Sequence, residues 1–209
     1  METKVAVIDY GMGNVRSVEK ALARCGATVE VTAKSDAILS ASHVVLPGVG
    51  AFGDAMGELR RRRLIEPIKQ VIAADKPFLG ICLGLQVLFE KSEENPGVAG
   101  LGIIRGEVKR FRTHLKVPHM GWNTLKLERS CPIFEGLGNE PSVYFVHSYY
   151  VAPAEEGWTI ATSDYDGEFV SAGGRGRCFA TQFHPEKSQK VGLKILENFL
   201  SKVQGSPKN

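Results

Sequence analysis

An α/β fold with a mixed, largely parallel central sheet flanked by helices, and an antiparallel extension in the second half, is predicted by three features of this sequence. Short apolar runs rich in β-branched residues recur at Lys4 to Asp9, Thr28 to Thr32, His43 to Leu46 and Pro77 to Ile81. Stretches with helical spacing separate them, as crossover helices between parallel strands require. From Gly102 to about Gln182 strand-like runs follow one another without a strong helix.

The elements follow in order. In Asn14 to Cys25 the residues Val15, Val18, Leu22 and Cys25 fall on one helical face, which makes Cys25 a core residue. His43 to Leu46 leads into Pro47-Gly48-Val49-Gly50 and then a single long helical stretch to about Ala74. The densest basic cluster, Arg60 to Arg63, lies in this stretch and reads as a solvated helix face. The next strand runs into Gly80-Ile81-Cys82-Leu83-Gly84 and a helix-like apolar run from Leu85 to Phe89. In the second half turns are expected at Asp166-Gly167 and Gly173-Gly174, and a strand over Cys178 to Phe183. Val191, Ile195 and Phe199 mark a closing amphipathic helix, and the polar stretch from Ser201 is expected to fray. One domain over 1–203 and a disordered tail at 204–209 are the expected organisation.

Composition excludes several classes. The 26 Lys+Arg are spread out and nearly matched by 23 Asp+Glu, so no nucleic-acid partner is expected. No run of 18 apolar residues spans a bilayer, and the chain enters Val5-Ala6-Val7-Ile8 without a signal-peptide pattern. A cytoplasmic protein without membrane contact is expected. The cysteines at 25, 82, 131 and 178 form no C-x-x-C pair, and His43, His114 and His119 lack ligand spacing, so neither disulfide, metal nor cofactor is expected. Asp9-Tyr10-Gly11-Met12-Gly13-Asn14 begins like a dinucleotide fingerprint with Glu30 downstream, but Arg16 occupies the third glycine position. The H-x-E of His184 to Glu186 lacks the P-C-x-x-C of a zinc deaminase.

The chemistry-bearing pattern is G-x-C-x-G at residues 80–84, a nucleophile elbow with sulfur in place of the hydroxyl. Flanking glycines permit the sharp turn, and the positive end of the following helix would favour the Cys82 thiolate. A buried cysteine in a β–α turn would give the same local pattern. A thiolate nucleophile needs a base and a group that orients the base. Gln182-Phe183-His184-Pro185-Glu186 offers both, since His184 and Glu186 at a strand's end project to similar sides. Parallel strands bring such ends to one edge of the sheet. For the oxyanion, the N–H of Leu83 and one from the Val49-Gly50 stretch behind Gly48 are available, and glycine permits a peptide flip there.

With Cys82, His184 and Glu186 assembled, the sequence resembles the triad-type, class I glutamine amidotransferases, which implies a flavodoxin-like fold. The segments Asp9 to Asn14, Pro47 to Gly50, Pro118-His119-Met120-Gly121-Trp122-Asn123, Val146-His147-Ser148-Tyr149 and His184 to Ser188 are similar to the family of glutaminase subunits of imidazole glycerol phosphate synthases. That resemblance implies glutamine as substrate and, as heterodimer partner, a separate (β/α)8-barrel synthase subunit. Ammonia would pass to the barrel, which makes imidazole glycerol phosphate and an aminoimidazole carboxamide ribotide in histidine biosynthesis. It also implies that Gly48, Gln86, Ser148 and Tyr149 hold glutamine, with Glu94 as counter-charge to its ammonium group. Asn14, Trp122, Tyr144 and Lys187 match positions at the subunit interface near the tunnel entrance, although Trp122 and Tyr144, in apolar strand-like segments, could equally pack the core. Glutaminase subunits of anthranilate, aminodeoxychorismate or pyridoxal phosphate synthesis are rivals, the first two disfavoured by Leu85 where they usually carry histidine. A catalytically dead scaffold on the same fold is a rival from another class, disfavoured by the intact triad.

Overall fold

The computed structural model describes residues 3–204. The first half builds a parallel sheet from β1 (Lys4–Ile8), β2 (Thr28–Thr32), β3 (His43–Gly48) and β4 (Phe78–Cys82), with crossovers α1 (Val15–Arg24), α2 (Ser35–Ser40), α3 (Phe52–Arg61) and α4 (Ile65–Ala73). A one-turn helix α5 (Leu83–Gln86) follows β4 directly. The second half adds β5 (Lys91–Ser92), β6 (Gly106–Arg110), β7 (His119–Thr124), β8 (Lys126–Leu127), β9 (Ser142–His147), β10 (Tyr149–Pro153), β11 (Thr159–Asp164), β12 (Glu168–Arg175) and β13 (Cys178–Thr181), and α6 (Gln189–Lys202) closes the fold.

The main sheet has the order β2-β1-β3-β4-β13-β12-β10-β6-β5. Its first five strands are parallel and run in the 2-1-3-4-5 order of flavodoxin-like sheets, with β13 as the fifth. Beyond β13 the pairings to β12, β10 and β6 are antiparallel, and β7 and β9 form a separate two-stranded sheet. Alternate residues of the parallel strands feed two cores. Val5, Val7, Val45, Leu79 and Ile81 pack with Val18, Leu22, Ile195 and Phe199 on the α1/α6 side. Ala6, Ile8, Val44, Leu46 and Phe78 meet Ile38, Phe52, Met56, Leu59 and Ile68 on the other. Cys25 packs against the first core while half-buried.

Several expected elements are redrawn. The long helix after Gly50 is two helices, because Arg63 takes a left-handed conformation (φ 58°) and the Leu64 N–H turns back to the Leu59 carbonyl. Pro67 has no N–H to continue an uninterrupted helix and sits instead in the first turn of a new one. Of the arginine cluster, Arg61 and Arg62 pair with Glu58, and Arg62 also reaches the Asp9 carbonyl. The run Leu85 to Phe89 is helical only to Gln86, since the carbonyls of Val87, Leu88 and Phe89 accept N–H groups of Leu101, Ile103 and Gly102. Gly173 and Gly174 lie inside β12: a Cβ on the first would overlap the Trp158 indole and on the second would lie 2.5 Å from the Phe179 ring. They make room for aromatic rings, and the turn falls at Gly176-Arg177. Asp166-Gly167 does turn between β11 and β12. The closing helix runs through Lys202, so Ser201 is helical, and 205–209 of the expected tail lie outside the described residues.

Candidate active site

Cys82 ends β4 with φ 56° and ψ −108°, a backbone conformation that non-glycine residues rarely adopt. Its glycine neighbours have no positive φ; they are required by close approach. A Cβ on Gly80 would lie 2.7 Å from the Gly84 carbonyl oxygen, and one on Gly84 would overlap the Leu46 carbonyl. The strain therefore sits on the nucleophile candidate itself, held there by the packing of its two glycines. The helix that follows has a single turn, so its dipole is too short to be the main source of positive charge at the sulfur.

Another candidate source of positive charge, the His184 imidazole, stands on the other side of the sheet edge. β4 lies between β3 and β13, with Gly48 paired to Cys82 and Thr181 paired to Ile81. β13 stops at Thr181, two residues before the expected end, and Pro185–Lys187 form a 3-10 turn that carries Glu186 back to His184. His184 Nδ1 lies 2.8 Å from Glu186 Oε1, and both side chains are 2% exposed. Ser188 fastens this turn to β9 by donating from Oγ to the His184 carbonyl and accepting the Tyr144 N–H, while the His184 N–H bonds the Tyr144 carbonyl. With Nδ1 given to the carboxylate, the buried Nε2 is left without a formed hydrogen bond; catalytic contacts of this kind often tighten only when substrate binds. Burial opposes a charge on His184, but the closeness of Cys82 and the hydrogen bond and charge of Glu186 outweigh it and raise the imidazole to about 9. The other cysteines lack such a partner. Burial pushes Cys25 up to about 11 and Cys178 up to about 12, and raises Cys131 as well.

A cavity of about 370 Å³ opens on Cys82. Its lining contains Val49, Gly50, Leu83, Gln86, Glu94, Ser148 and Tyr149, all expected from sequence. Gly48 is buried just behind them, where Tyr10 Oη and the Leu83 side chain leave no room for a Cβ. Glu94 already accepts the Phe52 N–H through Oε2 at 2.7 Å. Pro118, Val146 and His147 also line the cavity and were not anticipated. Gln182 was missed too: fully buried, it donates from Nε2 to Cys82 Sγ at 3.7 Å. Its signal was the register, which extended one step past Thr181 and Ile81 sets Gln182 beside Cys82.

The motif Pro118 to Asn123 alternates between two surfaces. Met120 and Trp122 point outward, 61% and 48% exposed, and pair across β9 with Val146 and Tyr144. Trp122 and Tyr144 rings lie 6.0 Å apart, and Lys187 Nζ lies 6.0 Å from the Tyr144 ring. These residues form an outer face and do not pack the core. Asn14 is exposed as well and caps α1, accepting the Ser17 N–H at 3.3 Å. On the inner side His119 and His147 are buried and hydrogen-bonded to each other at 3.0 Å. Burial lowers them to about 4 and about 3, which keeps both neutral.

The sequence of residues 6–203 matches the family model described as glutamine amidotransferase class-I. The chain belongs to that family. Among class-I glutamine amidotransferase relatives it is similar to the imidazole glycerol phosphate synthase subunit HisH of Synechococcus elongatus, with 53% identity over 96% of this chain and 94% of the relative. The protein of the same name from Methanocaldococcus jannaschii is 48% identical over 94% of this chain and 98% of its own length. A crystal structure titled glutamine amidotransferase superposes with a TM-score of 0.73 at 21% identity, covering 93% of this chain and 98% of that one. A glutamine amidotransferase from Thermotoga maritima superposes with a TM-score of 0.68 at 14% identity, covering 97% of this chain and 98% of that one. Both support the class-I amidotransferase fold. Among the described residues no helix is long and apolar enough to cross a membrane.

Proposed function

We propose that this chain is the glutaminase subunit of an imidazole glycerol phosphate synthase, a single domain over 1–203 working in the cytoplasm. The observation that carries the reaction is the buried His184–Glu186 pair beside a strained Cys82 that opens on a cavity. His184 takes the thiol proton, and the Cys82 thiolate attacks the side-chain amide carbon of glutamine. N–H groups of Leu83 and of the Val49-Gly50 stretch stabilise the oxyanion, each such donor contributing on the order of 10²–10³ in rate. His184 returns the proton to the leaving ammonia, which gives a γ-glutamyl thioester. Water, deprotonated by His184, then hydrolyses it to glutamate and frees the thiol. Glu186 holds the imidazole's tautomer and stabilises the imidazolium. Gln86, with the backbone of Ser148 and Tyr149, positions the substrate in the cavity, and Glu94 Oε1 meets its ammonium group.

The product's destination is a separate (β/α)8-barrel synthase subunit docked on the Met120, Trp122 and Tyr144 face, with Asn14 and Lys187 at its border. The names of relatives at about half identity support this reading, as does an exposed apolar face beside the site. The test is glutamate release by the chain alone and with the barrel partner and its nucleotide ligand. Weak release alone and strong stimulation by the liganded partner are expected. Equal rates in both states contradict the coupling, and no release in either contradicts the reaction.

A further inference from the structure

One hydrogen-bonded chain crosses the site from the docking sheet to the sulfur, and its direction follows from a single carbonyl. Tyr149 O can only accept. His147 Nδ1 meets it at 2.8 Å and Gln86 Nε2 at 3.1 Å, so both of those nitrogens carry hydrogens. Each assignment forces the next. With its proton on Nδ1, neutral His147 presents a bare Nε2, so His119 must donate from Nδ1 at 3.0 Å and leave its own Nε2 to Asn123 Nδ2 at 3.4 Å. In the other direction Gln86 Nε2 donates to Gln182 Oε1 at 3.2 Å. The Gln182 amide cannot then be turned over, and its Nε2 faces Cys82 Sγ as a donor.

We propose that Gln182 is a further catalytic residue, an N–H donor to the Cys82 sulfur, and that Gln86, the Tyr149 carbonyl, His147 and His119 are positioning residues that fix the polarity of its amide. A donor aimed at sulfur favours the thiolate and disfavours a protonated thiol pointing the same way, which a flipped amide would accept. The chain begins on the inner side of the strand whose outer side carries Met120 and Trp122, so a partner docked there bears on the same strand that orients the nucleophile. The inference rests on the glutaminase reading and deepens it.

The test uses the full chain and three variants. Gln182→Glu keeps the acceptor for Gln86 and removes the donor to sulfur; Gln182→Met removes both. His147→Phe keeps the ring packed against Phe111, Phe145 and Phe169 and removes the N–H to Tyr149. Alkylation of Cys82 by iodoacetamide at one fixed pH, followed by mass spectrometry, is expected to slow roughly tenfold in Gln182→Met, as for loss of a hydrogen bond to a charged group. It should slow more in Gln182→Glu and only a few-fold in His147→Phe. With the barrel partner present, Gln182→Glu should lower kcat with KM nearly unchanged, which loss of packing would not do. Alkylation within twofold of wild type in both Gln182 variants overturns the proposal, while Cys82-dependent glutamate release in the same samples leaves the glutaminase reading standing. A variant that fails to fold is replaced by nitrogen-15 spectra of the imidazoles in the unmodified protein. Both His119 and His147 are expected to be protonated on Nδ1, and an Nε2-protonated ring in either overturns the polarity argument.

Discussion

The parallel edge and the β7/β9 sheet meet at the same cavity, yet they serve it by different means. At the parallel edge the backbone does the placing: β3, β4 and β13 run side by side, two glycines allow the chain to close on itself, and Cys82 absorbs the strained conformation. In the β7/β9 sheet side chains do the placing, with His119 and His147 inward and Met120, Trp122 and Tyr144 outward. Reactive groups need a fixed position, which close-packed backbone supplies. The proposed docking face needs exposed apolar surface, which a small sheet separate from the main one carries on its outer side while its inner side, with Val143 and Phe145, stays in the core.

Removing the group that orients the proposed base at the parallel edge is expected to have the largest effect. Glu186→Gln should lower kcat on the order of 10²–10⁴-fold, as for loss of the orienting carboxylate of a triad. It should also move the alkaline limb of the pH profile down by about 1–2 pH units from about 9, because the hydrogen bond and charge that raise His184 are lost. The sign for stability agrees. His184 lies above its ordinary value of 6.5, so its imidazolium contributes fully below that pH and the contribution is lost as pH rises through about 9. An unchanged alkaline limb in the pH–rate profile would separate Glu186 from His184.

Next in size is the backbone itself. Gly84→Ala should cost at least about 3 kcal/mol, or roughly 6–12 °C in Tm, because its Cβ has only the Leu46 carbonyl to displace. A melting curve within about 2 °C of wild type would show that the elbow is not held by that contact. The smallest effect on folding is expected on the outer sheet. Trp122→Ala should change stability by no more than about 0.5 kcal/mol while weakening the proposed barrel complex at least about tenfold, measured by denaturation and by titration calorimetry. A large loss of stability with unchanged affinity would put Trp122 back in the core and remove the contrast between the two regions.

The same contrast explains what was legible in sequence. The parallel half could be read because each strand and helix is local, and Gly80 to Gly84 and His184 to Glu186 carry their chemistry within five and three residues. Tertiary capture of carbonyls cut the helix after Cys82 short, and a left-handed Arg63 split another, neither of which periodicity registers. Gln182 and His147 stand in the motifs without an assigned role, because their contacts come from strand register with a residue 100 positions away and from a carbonyl two positions on. Gly173 and Gly174 misled for the opposite reason, since glycine required by Trp158 and Phe179 looks the same as glycine required by a turn.

The central claim is that one cysteine of four is the nucleophile. Incubating the protein and the proposed barrel partner with a diazo-ketone analogue of glutamine, then mapping the adduct by mass spectrometry, tests it most directly. A single adduct on Cys82, absent after His184→Ala, is the expected result. An adduct on Cys25, Cys131 or Cys178, or none with the partner present, would contradict it.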